Sequence, residues 1–306
     1  MAPTNKVTDL FRVDGLVAVI TGGGSGLGLH AARALDQNGA KAVYIVGRRE
    51  ETLKEAAKTG VNGTIKYIVG DVTDKASLKK VADQVKQEQG FINLLFANSG
   101  VSGPNHGRAA FPDDGSKPSV KQFADALLKN SAEDYTQVQH VNNTGVFLTA
   151  LTFLELLDAG NKKRNVPQDS QILVTSSIAG FSRQLAHSFA YSSSKAAVTH
   201  LVKMLATIFS QLGYKIRANV IAPGLYPSEM TQAGVSKLDK FGGVQGHQAF
   251  EDAHVMPKER SPAERTGSEE DFAATVLFYA SRAGAYLNGE AMITDGGRLS
   301  QLPATY

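Results

Sequence analysis

The chain has 306 residues, 42% of them hydrophobic and 20% charged, with 32 Lys and Arg against 29 Asp and Glu, and it contains neither Cys nor Trp. This length can bury a large core without covalent staples, and the lack of cysteine excludes disulfide scaffolds, thiolate zinc sites, iron–sulfur clusters and cysteine nucleophiles. A net charge of +3 carried by scattered basic residues argues against a nucleic-acid partner.

Charges at Lys6, Asp9, Arg12 and Asp14 interrupt the N-terminus, so no secretory leader is expected there. No stretch reaches the roughly 18 apolar residues that a membrane span requires. These features predict a soluble, cytoplasmic protein with no membrane partner.

Short β-branched runs alternate with longer amphipathic segments along the chain. Strands are expected at Leu16–Thr21, Ala42–Val46, Ile65–Val69, Ile92–Ala97, Gln171–Ser176, Ile216–Ile221 and Ala291–Thr294. Helical periodicity marks Leu27–Gln37, Glu50–Lys58, Lys75–Gln89, Ala132–Leu157, Ala190–Gln211 and Glu269–Ser281. Strand, helix and strand repeated with right-handed crossovers predict an α/β architecture: a doubly wound, seven-stranded parallel sheet with helices on both faces and ligands at the strands' carboxyl ends. One domain, 1–306, accounts for the whole chain.

Val101–Ser131, rich in Gly, Pro, Asp and Ser, reads as an irregular insertion at the site rim. Glu229–Arg265 reads as a partly apolar lid carrying Phe241, His247, Phe250, His254 and Met256. Lys162-Lys163-Arg164, the densest basic run, reads as a solvated loop.

Directly after the first strand comes Thr21-Gly22-Gly23-Gly24-Ser25-Gly26-Leu27-Gly28, opening into a helix. Glycines let the backbone approach a pyrophosphate, and a helix N-terminus offers free N–H groups and partial positive charge. The key glycines, 22, 26 and 28, do not have G-x-G-x-x-G spacing. The turn resembles instead the T-G-x-x-x-G-x-G turn of the short-chain dehydrogenase/reductase superfamily.

Further marks follow in order. Tyr191-Ser192-Ser193-Ser194-Lys195 is similar to the family's Y-x-x-x-K, and Ser177 ends the fifth strand. Asn142 matches the asparagine of the helix after strand four, and Asn98-Ser99-Gly100 resembles the end of N-N-A-G, with Ala97 and Ser99 as departures. Asp71-Val72, Pro223-Gly224 and Asp295-Gly296-Gly297 follow strands three, six and seven. The resemblance covers about residues 14–298. It implies a Rossmann fold and an oxidoreductase acting on CH–OH groups.

The resemblance implies a catalytic tetrad of Asn142, Ser177, Tyr191 and Lys195. Residues four apart share a helix face, so the Lys195 ammonium is expected to lower the Tyr191 pKa from its ordinary value of about 10 toward the range of a general acid/base. Ser177 is expected to hydrogen-bond the substrate oxygen, Asn142 to hold a water linking Lys195 to solvent, and Lys195 to hold the nicotinamide ribose. The cofactor is expected to contact Thr21, Gly22, Ser25, Gly26, Leu27, Gly28, Asp71, Val72, Asn98, Gly100, Tyr191, Lys195, Pro223, Gly224 and Ser228. Of these, Asp71 is assigned to adenine and Ser228 to the neighbourhood of the carboxamide.

At the end of strand two an acidic residue would bind the hydroxyls of an NAD ribose, but Gly47 stands there, followed by Arg48 and Arg49. A guanidinium matches a 2′-phosphate in charge and shape, so NADP(H) is the expected cofactor, with Arg48 the first candidate and Arg49 the second. NAD(H) is the alternative.

The resulting expectation is an NADPH-dependent carbonyl reductase or alcohol dehydrogenase acting on a ketone or secondary alcohol, working toward reduction. An NAD-preferring alcohol dehydrogenase and a non-redox nucleotide-binding protein or cyclase remain open beside it. The histidines show no metal-binding spacing, so no metal is expected, and His187 reads as a loop residue. The two long helical segments resemble the pair through which family members form homodimers and homotetramers.

Overall fold

The computed structural model describes residues 4–106, 111, 115–185, 187–242 and 249–305. Seven strands form one parallel sheet in the order β3-β2-β1-β4-β5-β6-β7. They are β1 (Val17–Thr21), β2 (Ala42–Gly47), β3 (Ile65–Val69), β4 (Leu94–Ala97), β5 (Gln171–Thr175), β6 (Arg217–Pro223) and β7 (Ala291–Thr294). All seven expected strands are present.

The sheet is covered on both faces, which is why β1, β4 and β6 are buried at every position rather than alternating with polar residues. Successive side chains leave opposite faces of a strand. Val17, Val19, Leu95 and Val174 therefore join one core with Phe153, Val198 and Phe209. Ala18, Ile20, Phe96 and Leu173 join the other with Ala31, Leu35 and Phe272.

The helices are α1 (Val7–Leu10), α2 (Gly26–Gln37), α3 (Glu50–Ala57), α4 (Lys75–Gln89), α5 (Val120–Leu127), α6 (Ala132–Gln139), α7 (Gly145–Thr152), α8 (Leu154–Lys163), α9 (Phe189–Gln211), α10 (Gln232–Val235) and α11 (Glu269–Ala280). Their ends follow local chemistry. Asp74 caps α4 by accepting from the Ala76 N–H, and Gly90 closes it at φ +80°. Ser268 and Asp271 form a capping box at the head of α11.

The single helix expected over Ala132–Leu157 is divided. After α6 comes a π-helical turn, His140–Thr144, then α7; Phe153 leaves helical geometry and α8 continues to Lys163. Thr149 and Thr152 return their hydroxyls to the carbonyls of Gly145 and Leu148, which bends helices, and the Phe153 ring is fully buried. Lys162 and Lys163 consequently lie in the last turn of α8 rather than in a loop, where positive charge complements the helix dipole. Arg164 follows in the left-handed region at φ +50°.

The rim insertion is partly regular. Its α5 opens on a Ser119/Gln122 capping box and buries no residue, and its eight residues are too few to stand out against the surrounding Gly and Pro. In the lid, Lys240 bridges His254 and Val255 bridges Arg265, with Ala253, His254 and Met256 buried. Phe250 is half-buried, 3.9 Å beneath the Arg265 guanidinium. His247 lies outside the described residues. Among the described residues, no helix is long and apolar enough to cross a membrane.

Candidate active site

The strand order reverses between β1 and β4, opening a crevice beyond their carboxyl ends. The glycine turn lies there. Gly22 and Gly26 sit at φ +65° and +50°, in the left-handed region. Gly28 is helical, yet a Cβ on it would clash with the Gly22 carbonyl oxygen and come within 2.6 Å of Asn98 Nδ2. Glycine here lets α2 approach the turn. Ser25, the N-cap of α2, makes no side-chain cap bond, so the first-turn amides are left to a ligand.

Gly28→Ala tests this packing. In a free helix the change would favour folding by about 1 kcal/mol. Here overpacking reverses the sign, and a stability loss of about 1–3 kcal/mol is expected with weaker binding of NADPH and NADH alike. Denaturant unfolding and calorimetry measure the two effects.

Asn98 ties three strand ends together. Its side-chain amide donates to the carbonyls of Thr21 and Gly22, each at 3.2 Å, and its Oδ1 accepts from the Thr175 hydroxyl at 2.9 Å. Thr21 Oγ1 in turn accepts the N–H groups of Asn98 and Ser99. Asn98 lines the crevice, whereas Thr21 braces it from behind.

The four expected catalytic residues converge from three elements. Ser177 caps the short 3₁₀ turn Ile178–Gly180, its Oγ accepting from the Ala179 N–H at 3.1 Å. Tyr191 lies in the first turn of α9, which the buried Ser188 caps by accepting the Tyr191 N–H. One turn on, buried Lys195 donates from Nζ to the Thr175 carbonyl at 2.8 Å. Asn142, in the π-helical turn, accepts from the Val101 N–H at 2.8 Å and donates to the Val101 carbonyl and the Ser194 hydroxyl, each at 2.9 Å. A Cβ on Gly100 would lie 3.2 Å from Asn142 Oδ1 and 3.5 Å from Lys195 Nζ, so this glycine marks where the two meet.

The electrostatics differ from the sequence expectation. Burial raises the Tyr191 phenol, with a hydrogen bond from Ser177 pulling it back, while burial lowers Lys195 to about 8. Burial thus outweighs the expected lowering of Tyr191 by Lys195, whose Nζ lies 5.6 Å from the ring centroid and donates to the Thr175 carbonyl.

At the other end of the crevice, Gly47 ends β2, and Arg48 and Arg49 project exposed beside it. Arg49 is paired at 2.7 Å with Glu229, whereas Arg48 forms no salt bridge among the described residues. The Asp71 carboxylate accepts from Thr73 N and Oγ1, and these bonds, with the nearby charge of Arg48, hold its pKa below the usual carboxylate value against the cost of burial. Val72 is buried in the same wall.

Pro223 and Gly224 close the crevice behind β6, and a Cβ on Gly224 would lie 2.6 Å from Asp295 Cβ. Ser228 packs on the glycine turn, its Cβ 3.1 Å from where a Cβ of Gly26 would be.

These residues surround a cavity of about 350 Å³. Ser25, Gly26, Leu27 and Gly100 line it as expected; Gly28 and Asn142 support it from behind. Sequence reasoning missed Thr52 and Leu53 in its wall and placed Glu229, Met230 and Thr231 only within the lid segment. None belongs to a motif; Thr52 and Leu53, within the first turn of α3, were traceable only through the helix expected to start at Glu50.

A doubly wound parallel sheet with this crevice defines an oxidoreductase of the Rossmann class. The model of the family described as short chain dehydrogenase matches residues 16–239, and the chain belongs to that family. It is 44% identical over 312 aligned positions to the short-chain dehydrogenase/reductase PhomF of Diaporthe leptostromiformis, covering 100% of this chain and 99% of the relative. With versicolorin reductase stcU of Emericella nidulans the identity is 28%, over 95% and 98% of the two chains. Among solved structures, a Pseudomonas aeruginosa RhlG/NADP active-site complex superposes with a TM-score of 0.73 at 27% identity, covering 95% of this chain and 98% of that one.

Proposed function

We propose that the protein is an NADPH-dependent carbonyl reductase, equally able to oxidise the product alcohol, with a ketone or secondary alcohol as substrate. The observation that carries this reading is the convergence of Ser177, Tyr191 and Lys195 on one crevice whose far end presents Gly47 and Arg48 in place of an acidic residue. The RhlG/NADP complex supports the choice of NADP(H), with NAD(H) as the alternative. Relatives named versicolorin reductase and 3-oxoacyl-[acyl-carrier-protein] reductase support reduction as the direction, with β-ketoacyl thioesters as further candidate substrates.

The residues fit the cofactor. A Cβ at Gly22 would come within 3.0 Å of Ser99 Cα, and the α2 N-terminus supplies amides for a pyrophosphate. Arg48 takes the 2′-phosphate, Asp71 the adenine, and Lys195 the nicotinamide ribose. Ser228, expected near the carboxamide, rests at the glycine turn, a position that also favours the pyrophosphate path.

A bound nicotinamide supplies the hydride. Ser177 donates to the substrate oxygen where negative charge develops, its Oγ oriented by the Ala179 N–H. Tyr191, which burial keeps in the protonated form, donates its proton to that oxygen. Lys195 holds positive charge beside the phenolate that forms, and Asn142 fixes the Val101 backbone next to it.

NADPH oxidation on addition of a ketone tests the reading; failure of the protein to bind either nucleotide overturns it. Because burial lowers Lys195 to about 8, NADPH affinity is expected to fall as pH rises through that value and the ammonium is lost. Calorimetry across this range should give a flat profile in Lys195→Met.

We also propose that 1–306 forms one domain and assembles as a homodimer or homotetramer. Phe147 and Leu151 on α7, Met204 and Ile208 on α9 and Leu212 at its C-cap are exposed apolar groups on the helices expected to pair. Analytical ultracentrifugation gives the mass directly.

A further inference from the structure

The segment after β7 reaches the catalytic region by a route that no catalytic or cofactor role explains. Asp295 starts it: its carboxylate accepts the N–H groups of Gly297 at 2.9 Å and Leu299 at 2.6 Å, and its Cα and Cβ press on Gly224 of the crevice wall. Gly296 and Gly297, at φ +63° and +82°, pack under the lid, where the Gly296 carbonyl accepts the Ala263 N–H at 3.0 Å. Leu299 is buried beyond them.

The chain then pairs with the loop that joins Ser177 to Tyr191. Arg183 N–H donates to the Pro303 carbonyl at 2.7 Å, and Thr305 N–H to the Phe181 carbonyl at 2.8 Å, an antiparallel bridge centred on Ser182 and Ala304. Thr305 Oγ1 adds a bond of 3.1 Å to the same carbonyl. The loop is seated on α9 one residue before this contact, since a Cβ on Gly180 would lie 2.8 Å from the Ala196 nitrogen and the Lys195 carbonyl carbon. One segment thus touches the lid, the crevice wall and the loop between the two residues that face the substrate oxygen.

We propose that Asp295–Thr305 is a positioning strap that holds the Phe181–Arg183 loop and the lid at a set separation, and so determines which carbonyl compounds reach Ser177 and Tyr191. The substrate class rests on the reading given under Proposed function; the strap's hold on the loop does not. Its residues are positioning residues, since none lines the cofactor crevice.

The test compares the full chain with one ending at Leu302, with Arg183→Pro, which removes one backbone donor, and with Thr305→Ala, which keeps the Thr305 N–H. Hydrogen exchange of the amides from Gly180 to Gln184 should accelerate by about tenfold or more in the shortened chain and in Arg183→Pro, and stay within about twofold in Thr305→Ala. NADPH affinity should stay within about twofold throughout. With NADPH as reductant, the ratio of kcat/KM for cyclohexanone to that for the bulkier 1-tetralone should shift by about fivefold or more, through KM rather than kcat. Unchanged exchange overturns the strap, and faster exchange with an unchanged ratio overturns its control of specificity. Loss of nucleotide binding in the full chain would instead overturn the reductase reading and leave the exchange result to decide the strap.

Discussion

Tyr191→Phe is expected to lower ketone reduction by about 10²–10⁴-fold, the usual contribution of a positioned general acid. The change removes one oxygen atom and keeps the ring, whose neighbours are His187 edge-on and the Lys195 ammonium. Folding should therefore be untouched. NADPH affinity should fall by no more than about tenfold, the worth of a single hydrogen bond. Stopped-flow reduction under single-turnover conditions separates the chemical step from product release. Retention of more than a tenth of the wild-type rate would remove Tyr191 from the proton path and leave Ser177 as the candidate donor.

Arg48→Ala should divide the two nucleotides. A charge-assisted hydrogen bond is worth about 1.5–3 kcal/mol, so NADPH is expected to bind about 10–100-fold more weakly while NADH is unchanged. The structure separates the two arginines: Arg49 is already paired with Glu229, whereas Arg48 forms no salt bridge among the described residues and lies close enough to Asp71 to lower its pKa. Arg49→Ala should therefore cost NADPH less than Arg48→Ala does. Calorimetry with both nucleotides and both variants checks the ranking, and equal losses for NADPH and NADH would show that Arg48 reads no 2′-phosphate.

The legible part of this protein is local. The inner strands could be read from their apolar runs because a sheet covered on both faces needs apolar residues at successive positions, and the edge strands β3 and β7 from shorter apolar runs. Ser177, Tyr191 and Lys195 could be read because each sits at a strand end or a helix head whose order along the chain fixes its neighbours in space. The elements that went unread did so for different reasons. The break at Phe153 answers to the burial of one ring, and α5 carries only eight residues and buries none of them.

The candidate site divides in the same way. By itself the amino-acid sequence determined the alternation of strand and helix, the glycine turn, the absence of an acidic residue after β2 and the residue types that meet at the crevice, because each is set by spacing within a short segment. Only the tertiary structure decided the burial that raises Tyr191 and lowers Lys195, the pairing of Arg49 with Glu229 and the bridge from Thr305 to Phe181. Burial and ion pairing are properties of groups brought together from distant parts of the chain, and no spacing within one helix can state how far water has been excluded from them.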